Sequence, residues 1–361
     1  MRFFKPRLFD YLGIDIGSSS IKVVEMRNEN GRARLSTYGW SETKAEAPRI
    51  EVEAGIESKA ALIRDILKKC NATATNVITA LPTYAVFSAV LTFPSKLGRK
   101  ELPTAIRWEA KKVIPLPIDD MILDWKILPQ DKGDGTSDVG GAQVGRVDPK
   151  QSYQRVLLTG APKKLVSRYV EIFKFANLRL LSLETESFAL VRSLIGTDPS
   201  PAMIVNFGSV ATTISMIEHS IPILSRSIDV GGRNITRQIA KSLGISDERA
   251  SYFKQDIGME GGVGGVPKII TETLDPVINE IKYTKSVWQS QYSKRITKLV
   301  LTGGSSNMPG FTEYLTREVD IKAFVGDPWA RVIYPEDLKP VLNEVGPKIA
   351  VAVGLAIRNI E

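Results

Sequence analysis

The sequence predicts an α/β fold of two lobes facing each other across a cleft, and three observations carry that reading. Strand-like and helix-like segments alternate along the whole chain. Two strand-turn-strand units, "YLGIDIGSSSIKVVEM" at 11–26 and "AMIVNFGSVATTISMIEHSIPILSRSIDVGG" at 202–232, stand about 190 residues apart, and each opens an α/β stretch. A third apolar strand, in "KLVLTGGSSNMPGFTEYL" at 298–315, runs into a double glycine and then a helix. The length of 361 residues also favours more than one core, since single hydrophobic cores stop growing at roughly 250–300 residues.

In chain order, the first unit predicts strands at 12–16 and 20–26: apolar residues alternate up to Asp15, break into Gly17, Ser18, Ser19 and Ser20, and resume. A strand at 33–42 precedes a helix at 57–70, marked by the stripe Ala60, Ile63, Leu67 and Cys70. Strands at 76–81 and 86–93 and a helix at 100–112 come next. The strands at 121–128 and 155–161 are separated by the Gly- and Asp-rich "PQDKGDGTSDVGGAQVGRVDPK", 129–150, which reads as a long hairpin loop or insertion. A helix at 162–176, a strand at 178–183 and a helix at 185–195 follow. The second unit predicts strands at 202–207, 212–218 and 221–228, with His219 in the turn between the last two. In the helix at 233–243, Ile235, Ile239 and Leu243 share one face, and Gly244 is a natural C-terminal stop. Helices at 246–255 and 269–291 flank a second Gly-rich interruption, 256–267, and strands at 297–302 and 321–325 with helices at 309–318 and 346–358 complete the chain.

Composition narrows the function classes. With 43% hydrophobic and 24% charged residues the chain is an ordinary globular protein, neither disordered nor fibrous. Lys+Arg 48 against Asp+Glu 40 leaves a net charge of +8, spread along the chain and suited to an anionic membrane surface, a phosphate ligand or an acidic partner. Basic residues are not interleaved with aromatics and no reader motif is present, so nucleic acid is not an expected partner. One cysteine excludes an intramolecular disulfide and a Cys-cluster metal site, and one histidine leaves little for imidazole metal chemistry or a Ser/His/Asp triad. No apolar stretch reaches about 18 residues, so no transmembrane helix is expected. "MRFFKPRLFD" lacks the apolar core of a signal peptide. A cytoplasmic protein follows, peripheral to a membrane at most. Phe3, Phe4, Leu8 and Phe9 beside Arg2, Lys5 and Arg7 read either as a bilayer contact or as a frayed tail.

The three turns carry the chemistry. Small residues at 17–20 let backbone N–H groups approach an anion, and the hydroxyls of Ser18, Ser19 and Ser20 add donors. Asp15 at the strand end is placed to hold a hydrated Mg²⁺ against phosphates. Gly208, Ser209 and Thr212 supply a matching loop. Gly303 and Gly304, followed by Ser305 and Ser306, allow a flat ring to lie on the backbone, while the helix opened by Pro309 adds partial positive charge. Alone, each turn reads as an ordinary hairpin or strand-to-helix connection. All three in this order point to a phosphate ligand carrying a ring.

The order "GIDIGSSSIKVVE", "LETESFALVRSL", "IVNFGSVATTI", "LVLTGGSSNMPGF" and "GPKIAVAVGLAIR", from 13 to 358, resembles the phosphate-1, connect-1, phosphate-2, adenosine and connect-2 motifs of the actin, Hsp70 and sugar kinase superfamily. Within it the chain is similar to the PilM family, actin-like cytoplasmic proteins of type IV pilus assembly related to the division protein FtsA. That similarity rests on "GIDIGSSSIKVVEM", on "RWEAKKVIPLPIDDMILDW" at 107–125, on "SRSIDVGGRNITRQIA" at 225–240, and on "DPW" near the end. The resemblance implies a two-lobed, ribonuclease H-like fold with the 1C subdomain of FtsA and PilM. Subdomain 1A would comprise 1–80 and 179–200, 1C 81–178, 2A 201–230 and 296–335, and 2B 231–295, with a C-terminal helix in 336–361 returning to 1A.

It also implies ATP with Mg²⁺. Asp15, Gly17, Ser18, Ser19 and Lys22 match phosphate-1, with Asp15 acting through the metal. Gly208, Ser209 and Thr212 match phosphate-2, Gly303, Gly304 and Ser305 match the adenosine loop, and Lys254 resembles the 2B lysine near the ribose. Glu184 of "LETESF" occupies the place of a water-orienting carboxylate, or else is a solvated residue capping the next helix. Asn206 stands where the superfamily has an Asp, and Val210 where glycine is usual. An amide is no general base, so ATP binding with slow hydrolysis at best is expected. The implied partners are the cytoplasmic N-terminal tail of a PilN-type inner-membrane protein, held near 1A and 1C, the pilus motor ATPase, and further copies of the chain. Two other readings stay open: a small-molecule kinase of the sugar kinase branch, which needs the carboxylate that Asn206 replaces, and an FtsA-like division or filament protein.

Overall fold

The computed structural model describes residues 10–42, 55–98, 100–129, 152–260, 266–292 and 294–360. Nearly all of the 129–150 segment, the centre of the second Gly-rich interruption and the N-terminal aromatic residues lie outside them. In chain order come β1 (Tyr11–Ile16), β2 (Ser20–Glu29), β3 (Arg32–Glu42), α1 (Ile56–Lys69), β4 (Asn76–Leu81), β5 (Phe87–Pro94), α2 (Leu102–Val113) and β6 (Met121–Ile127). Next are β7 (Tyr153–Pro162), α3 (Lys163–Phe175), β8 (Arg179–Thr185) and α4 (Glu186–Leu190), which widens into a π-helical turn at Val191–Ile195. Then follow β9 (Ala202–Phe207), β10 (Thr212–Glu218), β11 (Ile221–Ile228), α5 (Gly232–Leu243), α6 (Asp247–Asp256) and α7 (Val266–Tyr292). The last elements are β12 (Lys298–Thr302), α8 (Phe311–Val319), β13 (Ala323–Val325), β14 (Val332–Ile333) and α9 (Lys339–Ala356).

The two strand-turn-strand units nucleate two sheets of one plan. In the first, β14-β3-β2-β1-β4-β8, antiparallel β1, β2 and β3 adjoin β4 and β8, which run parallel to β1. In the second, β11-β10-β9-β12-β13, antiparallel β9, β10 and β11 adjoin β12 and β13, parallel to β9. A third, smaller sheet has the order β5-β7-β6. The His219–Ser220 turn joins β10 to β11 with φ of 49° and 58°, the left-handed pair that a two-residue hairpin requires.

Apolar side chains sort these elements into layers. Leu12, Ile14, Ile21 and Val23 pack under α1 and α3, against Ala60, Ile63, Tyr169 and Phe173. On the far face of the second sheet Met203, Val205 and Ile214 meet Ile235 and Ile239 of α5, Leu274 and Ile281 of α7, and Leu315 of α8. Between the sheets stand α4 and α9, sealed by Ile78, Ala80, Ala189, Ile204, Val300, Ala350 and Leu355. Each Ile or Leu so buried contributes about 1.5–3 kcal/mol. The approach is closest at two glycines: a Cβ at Gly13 would overlap the Ala352 carbonyl oxygen, and one at Gly354 would overlap that of Ala189. Small residues therefore press α9 against β1 and α4.

Two elements depart from the sequence pattern. Gly346–Pro347 looks like a helix start, yet α9 begins at Lys339 with Pro340 in its first turn and runs through Pro347. Tertiary bonds steady the helix there, since the Pro347 carbonyl accepts from Gly303 N at 3.0 Å and from Thr302 Oγ1 at 3.0 Å. The short β14 has too few residues for any periodicity. It is set by Trp329, whose Nε1 donates to the Leu342 carbonyl at 2.8 Å, and by pairing with Ala33 and Arg34. Cys70 caps α1 half-buried, its thiol pushed up by burial. Among the described residues no helix is long and apolar enough to cross a membrane, and no group of three His, Cys, Asp or Glu could hold a metal.

Candidate functional site

One side of the site is the β1–β2 hairpin. Its register places Asp15 opposite Lys22, and the buried Asp15 carboxylate takes the ammonium at 2.9 Å. Lys22 reaches it across Gly17, where a Cβ would stand 2.9 Å from Nζ and 3.1 Å from the Ser20 carbonyl oxygen. The turn is closed by Gly17 N donating to Ser20 O at 3.0 Å, leaving Ser18 exposed and Ser19 half-buried.

The first residue of α4, Glu186, is drawn into the same electrostatic group. Burial and then the Asp15 charge push its carboxyl up to about 7, while Lys22 and hydrogen bonds from Thr83 pull it back. Thr83 Oγ1 lies 3.5 Å from Glu186 Oε2. The buried Tyr169 phenol is pushed up by burial, then by Glu186 and Asp15. An acid titrating near neutrality beside a carboxylate–ammonium pair is equipped to accept a proton at physiological pH.

Glu184, the carboxylate expected to orient water, sits elsewhere. Arg192 grips it in bidentate fashion at 2.8 Å for both bonds, and Arg358 adds a contact at 3.4 Å. Arg192 Nη1 also donates to the Gly354 carbonyl. The clamp ties β8 to the π turn and to α9. The carboxylate that senses Asp15 is Glu186, two positions further along "LETESF". Sequence alone could not choose between them, because the chain changes from strand to helix between the two residues.

The second side gathers around the N-terminus of α5. The turn after β9 is closed by Gly208 N donating to Ala211 O at 3.0 Å. Gly232 N and Arg233 N donate back to Gly208 O and Ser209 O at 2.9 and 2.8 Å. A Cβ at Gly231 would stand 2.6 Å from both carbonyl oxygens. Thr212 is fully buried and its hydroxyl donates to Val230 O at 2.7 Å, so it braces the turn from behind instead of offering a donor to a ligand. Asn206 lies half-buried near the end of β9, opposite Thr213 and Thr302. Gly303, at φ 98°, packs on the Phe207 backbone, while Gly304 is exposed with open space at its Cβ position.

Lys254 Nζ donates to Gly232 O at 3.2 Å and to Thr236 Oγ1 at 3.1 Å, and burial pulls its ammonium below the usual lysine range. A Cβ at Gly232 would overlap Ser305 Oγ and come within 3.4 Å of Lys254 Nζ. Three distant stretches of sequence thus converge on one helix start.

A hydroxyl ladder joins the two sides. Thr213 and Ser227 are bonded at 3.0 Å, Ser215 and Ser225 at 3.0 Å, and Ser187 reaches Ser215 at 3.0 Å and Ser225 at 3.2 Å. Thr83 continues it at 3.4 Å from Ser187. The strand pairs are directly opposed in the β10–β11 register. Their signal in the sequence is the alternation Thr213, Ser215 and Ser225, Ser227.

The geometry fits a nucleoside triphosphate with a divalent cation. The Gly17–Ser19 and Gly208–Ser209 turns offer backbone donors, Lys22 a cation, and Lys254 with Ser305 a polar end for a sugar. Asp15 could hold a cation that keeps most of its water, the usual manner of Mg²⁺.

The family described as type IV pilus assembly protein PilM matches residues 13–360. Among solved structures, the chain is similar to a chain of the PilM–PilN type IV pilus biogenesis complex, with TM-score 0.81 and 24% identity, covering 99% of this chain and 100% of that one. Ethanolamine utilization protein EutJ from Carboxydothermus hydrogenoformans follows at TM-score 0.55, with 14% identity and coverage of 98% and 90%. MreB5 of Spiroplasma citri bound to ADP gives TM-score 0.51, with 11% identity and coverage of 97% and 95%. Curated relatives include the cell division protein FtsA of Streptococcus pneumoniae serotype 2, 21% identical over 86% of this chain and 73% of its own. FtsA of Bacillus subtilis is 25% identical over 56% of this chain, and the match spans half of that relative's length. The two-lobed fold is therefore actin-like, and the chain belongs to the PilM family of type IV pilus assembly proteins.

Proposed function

We propose that the chain is an ATP-binding scaffold of type IV pilus assembly. The observation that carries this reading is the pairing of an Asp15–Lys22–Glu186 group with the polar start of α5, where Gly208, Ser209, Lys254 and Ser305 meet. Lys22 and the two glycine turns would bind the phosphates, Lys254 and Ser305 the ribose end, and Asp15 the hydrated Mg²⁺. That ion, when bound, would neutralise phosphate charge. Glu186, instead of Glu184, would orient water, and with Asn206 in place of an acid, hydrolysis would be slow. The neighbour bound to ADP and one bound to AMPPNP support a nucleotide in this fold.

In this reading the occupied cleft draws the lobes together and presents a surface for the cytoplasmic N-terminal tail of a PilN-type inner-membrane protein. The chain would then sit at the cytoplasmic face of the membrane and connect that platform to the pilus motor. The PilM–PilN complex among the structural neighbours supports such a partner.

Calorimetric titration of ATP and Mg²⁺ into the protein tests the reading, alongside Asp15→Ala and with an N-terminal PilN-type peptide added afterwards. Micromolar ATP binding that Asp15→Ala abolishes, followed by peptide binding, is the expected result. Absence of ATP binding in every state would sink the nucleotide half of the proposal, and ATP bound without any effect on the peptide would sink the gating half.

A further inference from the structure

The outer edge of the three-stranded sheet carries a self-complementary pattern. The Leu128 N–H bonds to Arg155 O of β7 at 2.9 Å, continuing the β6–β7 register. In an antiparallel ladder alternate residues bond to the same neighbour. Ile122, Asp124 and Lys126 therefore face β7 with their backbone groups, and Leu123, Trp125 and Ile127 point theirs outward. The Trp125 N–H is consistent with this direction, since it bonds to the side chain of Asp124 at 2.9 Å. Among the described residues no strand pairs with this edge. Ile122, Trp125 and Ile127 are 46%, 37% and 45% exposed, and the strand has no proline or bulge to blunt it. Edges of this kind recruit another strand unless something prevents it.

We propose that β6 pairs with β6 of a second copy of this chain, antiparallel about a two-fold axis at Trp125. The charges select the occupant and the register. With Trp125 on the axis, Asp124 stands opposite Lys126 of the second copy, twice by symmetry, and Leu123 stands opposite Ile127. Moving the axis by one residue sets Asp124 against Asp124, or Lys126 against Lys126. The ladder allows the Trp125 axis, because the outward-pointing residues 123, 125 and 127 then form the hydrogen-bonded pairs, and the charges choose it over an axis at Asp124 or Lys126. The Asp124–Lys126 pairs fall at the intervening positions, where side chains of antiparallel strands lie closest. In the single chain Asp124 acts as a stand-in acceptor for the Trp125 N–H. On pairing, that N–H goes to the Trp125 carbonyl of the second copy and frees Asp124 for Lys126. The product is a continuous six-stranded sheet across two molecules.

Sedimentation equilibrium of the full chain tests this, with Asp124→Lys, Lys126→Asp, the double exchange and Trp125→Pro. The parent is expected to form a dimer and nothing larger. Each single charge substitution sets like charges together and should raise the dimer Kd by about tenfold or more, and the double exchange should restore it. Trp125→Pro removes an outward N–H while sparing the β7 ladder, so it should abolish the dimer with an unaltered thermal midpoint. A chain monomeric up to its solubility limit, an open polymer, or a dimer indifferent to these changes would overturn the proposal. So would a double exchange as weak as the singles. Binding of an extended partner peptide to a monomeric parent, lost in Trp125→Pro, would assign the edge to that partner and overturn it too.

Discussion

The carboxyl of Glu186 sets a measurable pH signature. In the native protein it is pushed from 4.5 up to about 7, chiefly by burial and secondly by Asp15. At about 1.36 kcal/mol per pKa unit, this corresponds to about 3 kcal/mol of native-state cost for the ionised form. Because the folded protein keeps the proton to higher pH than the unfolded chain, stability is full below about 4.5 and is lost as pH rises through about 7. Glu186→Gln keeps the shape and removes the titration. The variant should match the parent near pH 4, to within about 0.5 kcal/mol, and exceed it by about 3 kcal/mol near pH 8. Urea unfolding of the nucleotide-free chain, repeated across that range, measures the difference. Parallel pH profiles for parent and variant would refute the placement of Glu186 beside Asp15. Glu184→Gln is the control, since that carboxylate is held by Arg192 and Arg358 and not beside Asp15.

Other substitutions separate site from scaffold. Gly232→Ala pushes on Ser305 Oγ and should weaken ATP binding about tenfold by calorimetry, with Ser305→Ala in the same chain recovering part of the loss. Arg192→Met leaves Glu184 with Arg358 alone and should cost about 3–5 kcal/mol of stability in urea titration, while ATP affinity of the folded fraction holds. Glu218→Gln removes the carboxylate that Arg155 and Lys294 share. By hydrogen exchange, amides of β7 and of the β10–β11 hairpin should open by a similar energy, about 3–5 kcal/mol, while those of the β1–β2 hairpin stay protected.

The sheet plan was legible because apolar strands end in small residues at Gly17, Gly208 and Gly303, and those glycines do mark the turns. The helix faces were legible too: Ile235 and Ile239 are fully buried, and Gly244 stops α5 in a left-handed conformation at φ 63°. Roles of individual polar residues were less so. Thr212 lies in a motif-matching position yet faces Val230, since a strand's first residue can turn either way and only the packing of the β11–α5 connection decides. Glu184 and Glu186 differ in partner because Arg192, Arg358 and Lys22 arrive from three separate parts of the chain. Ser187 gains its meaning from Ser215 and Ser225, on strands that sequence spacing alone does not bring near. Long-range convergence, not local propensity, makes the site.

One strand then relates the site to the smaller sheet. β10 starts at the Gly208–Ala211 turn, carries Thr213 and Ser215 of the hydroxyl ladder along its length, and ends at Glu218. The buried Glu218 carboxylate binds Arg155 of β7 at 2.9 Å and Lys294 at 2.8 Å, and the Arg155 guanidinium lies over the Tyr292 ring at 5.6 Å. Leu157 of β7 and Leu128 join the core of the second lobe. The two ends of β10 are thus fastened by different means: backbone bonds at the turn, a buried ion triad at the smaller sheet. Its middle meets α4 through hydroxyls, which can exchange partners at little cost because each is both donor and acceptor. A displacement of the Gly208 turn would therefore travel along a rigid, fully buried strand to Arg155 while the Ser187 contacts slide. Breaking the triad at Glu218 should leave ATP affinity intact and remove the effect of ATP on any partner held by the smaller sheet. Loss of ATP affinity in that variant would instead mean that the smaller sheet supports the cleft and does not respond to it.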